Sequence, residues 1–155
     1  MRALLLAIVC FAWPLSSSAQ TSVILGAASK HLNDDTYRDP SGRVRLLNEK
    51  NPAIAIEQKI GHGGIYVVGG VYRNSIRQRS LFAGLGAESA HWRFVRVGVE
   101  AAGVTGYRAS IAGHRLAVLP VAAPYVVLGP RRLGLKVYII PSTKPILIGA
   151  IRIEP

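Results

Sequence analysis

Residues 94–100 read FVRVGVE, and this stretch alternates strictly between two sets of side chains. One set is aliphatic and consists of Val95, Val97 and Val99. The other set consists of Phe94, Arg96, Gly98 and Glu100. Successive side chains of a β-strand point to opposite faces of the sheet, so this segment has one apolar and one charged face. That combination is typical of a strand with hydrocarbon on one side and a polar lumen on the other.

Two later segments repeat the pattern. In residues 132–140 the apolar set is Leu133, Leu135, Val137 and Ile139, and the opposing set is Arg132, Gly134, Lys136 and Tyr138. In residues 146–154 the sequence sets Leu147, Ile151 and Ile153 against Arg152. A charge in mid-strand is costly in hydrocarbon, and buried charges need partners. We therefore predict a lumenal ion cluster formed by Arg96, Glu100, Lys136 and Arg152.

Eight short extended segments follow one another along the chain, most of them of the length that a tilted strand needs to cross a bilayer. They are Ser22–Lys30, Pro52–Ile60, Gly64–Arg73, Ser80–Glu88, Trp92–Gly103, Leu116–Leu128, Arg132–Ile140 and Ile146–Glu154. Closing them into a barrel leaves no unpaired edge in lipid. The sequence predicts an all-β fold, an eight-stranded antiparallel transmembrane β-barrel.

The connections between these segments alternate in length. Short turns span 61–63, 89–91 and 129–131, and longer connections span His31–Asn51, Asn74–Arg79 and Val104–Arg115. Outer-membrane barrels have short periplasmic turns and longer external loops. Both termini are therefore expected inside, and the three long connections outside, together with the short connection Pro141–Pro145.

The N-terminus resembles a secretory signal peptide. Arg2 precedes the apolar run Leu4–Trp13, and small residues up to Ala19 supply a cleavage site. A membrane anchor is the alternative, but this run is shorter than the roughly 20 residues that a spanning helix needs. We predict a signal peptide at residues 1–19 and a barrel domain at residues 20–155, exported to a bacterial outer membrane. Cys10, the one cysteine, lies in the signal segment, so the exported part is expected to contain no disulfide.

Composition limits the partners. The formal net charge is +11, yet half of the residues are hydrophobic and the mean hydropathy is positive. Export argues against nucleic acid, and an anionic membrane surface attracts Lys and Arg equally well. Two alternatives are a soluble lipocalin-type barrel and a soluble periplasmic lipid carrier. The first would carry its polar residues outside, and the predicted lumenal charges argue against it. We expect a monomer.

Few residues suggest chemistry. The four histidines, at positions 31, 62, 91 and 114, lack metal-ligand spacing, and no phosphate-binding glycine loop is present, so neither a metal nor a cofactor is expected. His31 and Ser75 fall at the same predicted rim. A histidine that takes a proton from a hydroxyl is the usual pairing for acyl transfer. The alternative is that both residues simply meet water, since Ser and His are common in loops.

Five segments in order carry a family resemblance. They are LNEKNPAIAIE (47–57), GIYVVGGVYRNSIRQRSLFAGLGAES (64–89), VGVEAAGVTGY (97–107), LAVLPVAAPYVVLGPRRLGLKVYIIPS (116–142) and ILIGAIRI (146–153). In this order and spacing they resemble the strands and loops of the lipid A palmitoyltransferase (PagP) family. The resemblance spans about two-thirds of the chain.

The resemblance implies an eight-stranded outer-membrane enzyme that moves a palmitoyl chain from a phospholipid to lipid A in lipopolysaccharide. It implies catalytic roles for His31, Asn74 and Ser75. Asn74 stands where the family has an aspartate, and a neutral amide cannot orient a histidine as an anion, although it can donate a hydrogen bond to an oxyanion. Pro120 and Pro141 match prolines that open the barrel wall to lipids. Because of Asn74, the alternative is a non-catalytic barrel with a surface-modifying, exclusion or structural role.

Overall fold

The computed structural model describes residues 20–32, 36–39, 41–61, 63–107, 109–111, 114–141 and 145–155. Within these ranges the strands are β1 (Thr21–His31), β2 (Thr36–Arg38), β3 (Val44–Leu46), β4 (Ala53–Lys59), β5 (Ile65–Arg73), β6 (Arg79–Glu88), β7 (Val95–Val104), β8 (Ala109–Ile111), β9 (His114–Leu116), β10 (Leu119–Leu128), β11 (Leu133–Ile140) and β12 (Ile146–Ile153). No helix of this part of the chain is both long and apolar enough to cross a membrane.

Eight of these strands form one closed antiparallel barrel in the order β1-β12-β11-β10-β7-β6-β5-β4, and β1 pairs with β4 to complete the ring. The predicted all-β class and eight-stranded barrel are confirmed. We call the end with the long connections the loop rim. The opposite end, which carries the short turns and both described chain ends, is the turn rim.

Two small hairpins were not predicted. β2–β3 lies in the first long connection and β8–β9 in the third, each as a separate two-stranded sheet.

The alternation placed Phe94 on the same face as Arg96, and this prediction was wrong. Phe94 precedes β7 in a turn where Trp92 and Val95 exchange backbone hydrogen bonds, and its side chain is 65% exposed instead of lumenal. Arg93 at φ 53° makes this turn tight.

A β-bulge displaces the second half of β1. Leu25 pairs with Ile151 and Ala28 with Gly149, so two residues of β1 oppose one of β12. Gly26 at φ +66° takes the left-handed conformation that the bulge requires. Beyond the bulge β1 leaves β4, and the Ser29 N–H donates to the Glu49 carbonyl at 2.9 Å. The bulge thus redirects the residues that lead to His31.

The outer face of the barrel is aliphatic. Large apolar side chains that are at least 40% exposed include Val67, Val71, Leu81, Leu85, Val97, Val99, Leu135, Ile139 and Ile151. A contiguous apolar surface of this kind is stable only where an apolar medium covers it. A band of aliphatic side chains around a closed barrel is the surface that faces hydrocarbon in membrane-spanning barrels.

Charged side chains fill the half of the lumen nearest the turn rim. Lys136 is fully buried and contacts the Glu100 carboxylate at 3.0 Å and that of Glu57. Its ammonium also lies 3.9 Å from the centre of the Tyr125 ring and donates to the Tyr66 hydroxyl at 3.2 Å. A buried ammonium is tolerable only with such complete compensation.

Two arginines extend this network toward the turn rim. Arg152 pairs with Glu57 at 3.0 Å, with Glu154 at 3.4 Å and with Glu88. Arg96 pairs with Glu88 at 3.7 Å and with Glu154. The predicted lumenal cluster of Arg96, Glu100, Lys136 and Arg152 is therefore confirmed. The carboxylates of Glu57, Glu88 and Glu154, which complete it, were not predicted.

Candidate active site at the loop rim

His31 is the last residue of β1 and pairs with Ile146 at the start of β12. It is buried, with 7% of its surface exposed. Ser29, two residues earlier, is also buried, and its hydroxyl donates to the Asn51 side-chain oxygen at 2.6 Å. In a strand, residues two apart share a face, so His31 and Ser29 both point inward.

Asn51 links this segment to the second candidate. Its amide donates to the Arg73 carbonyl at 2.9 Å, while its oxygen accepts from Ser29. Ser29 lies two residues before His31, and Arg73 lies two residues before Ser75. The buried Asn51 side chain therefore ties together the two strand ends that lead to the predicted catalytic residues. Sequence reasoning missed Asn51, since nothing in its local pattern distinguishes it from a loop asparagine.

The side chain of Asn74 is fully buried and fully hydrogen-bonded. Its amide donates to the Ser80 hydroxyl and to the Gly106 carbonyl, each at 3.0 Å. Its oxygen accepts from the Ile76 N–H at 3.1 Å and the Gln78 N–H at 2.8 Å. Both amide hydrogens are used within the fold, so this arrangement leaves none for an oxyanion. In this geometry the Asn74 side chain holds the loop in place and is not free to donate to a substrate.

Ser75 follows as a nearly buried residue with 8% exposure. Its carbonyl accepts from the Asn48 N–H at 2.7 Å. Nearby, the Tyr72 hydroxyl donates to the Tyr107 hydroxyl at 3.2 Å. Burial raises the pKa of Tyr107 above the ordinary value of 10, so Tyr107 stays neutral at physiological pH. The backbone of Ser75 is thus held by the first loop through Asn48.

The barrel wall is incomplete between β10 and β11. Among the described residues the ladder pairs Tyr125–Leu128 with Leu135–Tyr138, whereas Leu119–Leu128 pair with β7 throughout. The Gly129 N–H donates to the carbonyl of Phe94, on the β7 side. Backbone N–H groups alternate sides along a strand, so those of even-numbered residues in β10 face β11. Continuing the register sets Pro124 opposite Ile139 and Ala122 opposite Pro141. In each of these two pairs one backbone N–H donor is missing, because proline has no N–H.

The two predicted lipid-access prolines therefore differ. Pro120 lies within β10 opposite Gly103 of β7, with its missing donor on the β11 side. Pro141 lies just after β11 and is exposed. The sequence analysis missed Pro124, which ends the β10–β11 ladder together with Pro141. From sequence alone, a proline in a strand segment does not show which neighbouring strand loses a hydrogen bond.

The lumen nearest this opening is apolar. Residues at the loop-rim ends of the strands that share a face with known lumenal residues are Leu119, Val121, Ile146 and Ile148. They are only half-buried, in contrast to the fully packed ion network below them. The predicted signal peptide at residues 1–19 and His62 lie outside the described ranges.

The comparisons with known proteins give a likeness of fold alone. No protein-family model and no curated protein matches this sequence. A de novo designed transmembrane β-barrel superposes with a TM-score of 0.58 at 10% identity, covering 90% of this chain and 98% of the design. The outer membrane protein Ail of Yersinia pestis, studied in a phospholipid bilayer nanodisc, gives a TM-score of 0.48 at 10% identity over 89% of this chain and 100% of Ail.

The likeness to the designed barrel shows the fold. With the aliphatic exterior and the charged lumen, it defines the class of this protein as an eight-stranded transmembrane β-barrel.

Proposed function

We propose that this barrel is an outer-membrane acyltransferase that moves a palmitoyl-type chain from a phospholipid to lipid A, with its loop rim facing outward. The observation that carries the proposal is the position of His31 and Ser75 at the loop rim, above an apolar lumen with an incomplete wall. A lipid chain can enter laterally between β10 and β11 where Pro124 and Pro141 end the ladder. The ion network closes the lumen below it.

The transfer is a simple exchange of ester bonds. The acceptor hydroxyl oxygen bonds to the acyl carbonyl carbon, and the bond from that carbon to the phospholipid glycerol oxygen breaks. His31 takes the proton of the attacking hydroxyl and returns it to the leaving alkoxide, which departs as a lysophospholipid. Ser75 either donates a hydrogen bond to the ester carbonyl or forms the transient acyl ester itself.

Asn74 is a positioning residue in this proposal. The sequence predicted a hydrogen bond from the Asn74 amide to an oxyanion, but both amide hydrogens donate to Ser80 and Gly106. Holding the turn of residues 74–78 in place sets the direction of the adjacent Ser75. Asn74 therefore acts on catalysis through Ser75, since precise placement of a reacting group contributes several orders of magnitude in rate.

Mass spectrometry of lipid A from cells that produce the protein tests the activity. We expect an added acyl chain with the wild type and its loss with His31→Ala. His91→Ala is the matched control, because His91 is an exposed histidine at the turn rim. The absence of acyl addition from a folded, membrane-inserted wild-type protein would contradict the proposal, and so would acyl addition that survives His31→Ala.

A non-catalytic barrel is the second candidate, and the state of Asn74 favours it. An asparagine with all four hydrogen-bonding positions satisfied serves the loop without any substrate. On this alternative, lipid A is unchanged by the wild type. Acyl addition by the wild type rules it out, whereas acyl addition by Asn74→Asp alone would show that Asn74 accounts for the inactivity.

A further inference from the structure

Three arginines lie together on the β5–β6 hairpin at the loop rim. Arg73 ends β5, Arg79 begins β6, and the two are direct cross-strand partners. Arg77 lies in the turn between them at φ 64°, a left-handed conformation uncommon for a non-glycine residue. Like charges directly opposite each other destabilise a sheet. The hairpin therefore carries an electrostatic cost that the barrel itself does not require.

No carboxylate among the described residues forms an ion pair with these arginines. Two other cations of the same rim are paired: Lys30 contacts Glu49 at 2.7 Å, and Arg45 contacts Asp39 at 3.1 Å. Hydrogen bonds from Ser41, together with Arg45, hold the pKa of Asp39 at about 2, so that acid stays ionised. The β5–β6 hairpin instead leaves its three arginines exposed to solvent, with no ion pair among the described residues.

The same face continues downward as apolar surface. Val71 and Leu81 form the next outward cross-strand pair and are 46% and 50% exposed. Gly69 and Ala83 form the pair after that, so the surface there has no large side chain. Two residues along a strand span about 7 Å, so the guanidinium groups lie just above the aliphatic band. Cations above a hydrocarbon-facing wall match the shape and charge of an anionic amphiphile.

We propose that this face binds the phosphate group of a membrane amphiphile, with Arg73, Arg77 and Arg79 on the phosphate and an acyl chain along Val71 and Leu81. Guanidinium groups bind phosphate oxygens through two parallel N–H···O contacts. The Arg73 Nε donates to the Arg77 carbonyl at 3.4 Å, which links the Arg73 side chain to the turn that carries Arg77. A bound phosphate relieves the repulsion between Arg73 and Arg79.

This site is separate from the lumen and does not depend on the proposed acyl transfer. It lies on the outside of the wall, whereas His31 and Ser29 point inward. Binding of an amphiphile is measured without turnover. A protein without acyltransferase activity would therefore still bind here, and His31→Ala should bind as the wild type does.

Isothermal titration of the folded full chain in dodecyl maltoside micelles, with dodecyl phosphate as the probe, tests the site. We expect saturable binding that the double variant Arg73→Gln, Arg79→Gln weakens by about tenfold or more, because charge-assisted contacts are lost. The double variant Arg131→Gln, Arg132→Gln removes the same charge at the turn rim. It should change the affinity by less than about twofold, since charges this far away are screened.

A second variant keeps the test informative if the double variant does not fold. Arg77→Gly removes one charge and suits the positive φ of that turn, so it should fold and still weaken binding severalfold. Inorganic phosphate should bind at least about tenfold more weakly than dodecyl phosphate, because it lacks the chain that contacts the aliphatic wall. Equal affinity for inorganic phosphate would overturn the lipid assignment. Equal loss in the turn-rim variant, no loss in the hairpin variants, or no saturable binding would overturn the site.

Discussion

Asn74 shows how a single side chain can be fixed by its loop. Two backbone N–H groups need an acceptor there, and the Gly106 carbonyl needs a donor. An amide satisfies both requirements, whereas a carboxylate accepts but cannot donate to a carbonyl. Gly106 itself must lack a Cβ, since one would lie 2.6 Å from the Ser80 hydroxyl and 2.7 Å from the Arg79 carbonyl.

Substitution at position 74 separates these requirements. Asn74→Ala removes both acceptor contacts, so the Ile76 and Gln78 amides should exchange about 10 to 100 times faster, equivalent to losing about 1–3 kcal/mol of local stability. Asn74→Asp keeps both acceptors and should retain most of that protection. Hydrogen exchange followed by NMR in detergent measures both amides. Equal protection in Asn74→Ala and wild type would show that the Asn74 side chain does not hold these two amides.

The strands show which parts of the fold a sequence can predict. The extended segments located all eight barrel strands, and alternation in three of them gave the inward direction of Lys136 and Arg152, because a charged side chain is costly in hydrocarbon. The β2–β3 and β8–β9 hairpins were missed because three-residue strands carry too little period-two signal. Asn51 and Pro124 act through partners far along the chain, and local pattern contains no such information.

Glycines in the strands make room for the tyrosines of the lumen. A Cβ at Gly98 would lie 2.4 Å from the Tyr125 ring and hydroxyl, and a Cβ at Gly86 would lie 2.1 Å from the Tyr66 ring. Both rings are buried beside Lys136 and cannot move without opening the ion network. These glycines are therefore part of the packing that holds the network.

Gly98→Ala should lower the free energy of unfolding by about 1–3 kcal/mol, the usual cost of overpacking a core. Gly149→Ala is the matched control in another barrel strand, since a Cβ there meets nothing within 4 Å. We expect the control to change stability by less than about 0.5 kcal/mol. Urea titration in lipid vesicles, read by tryptophan fluorescence, measures both variants. Similar losses in the two variants would contradict the packing argument.

At the scale of the whole molecule, the barrel depends on a balanced lumen. Lys136 is the cation between Glu57 and Glu100, and its removal leaves two buried carboxylates without their closest positive charge. Lys136→Met should therefore cost about 3–5 kcal/mol. Lys30→Met, which removes an exposed lysine paired with Glu49, should cost less than about 1 kcal/mol. The same unfolding titration compares the two, and equal costs would show that the network does not stabilise the barrel.

Both functional proposals require that the barrel spans a membrane, and the acyltransferase proposal also requires that its loop rim faces outward. The predicted exported part contains no cysteine, so single cysteines can report on each rim. Arg43→Cys places a thiol in the exposed first loop, and Ala90→Cys places one in an exposed turn at the turn rim. Labelling intact cells with a membrane-impermeant maleimide should modify Arg43→Cys and spare Ala90→Cys, while broken cells should label both. Labelling of Ala90→Cys with protection of Arg43→Cys, or equal labelling of both in intact cells, would contradict the account.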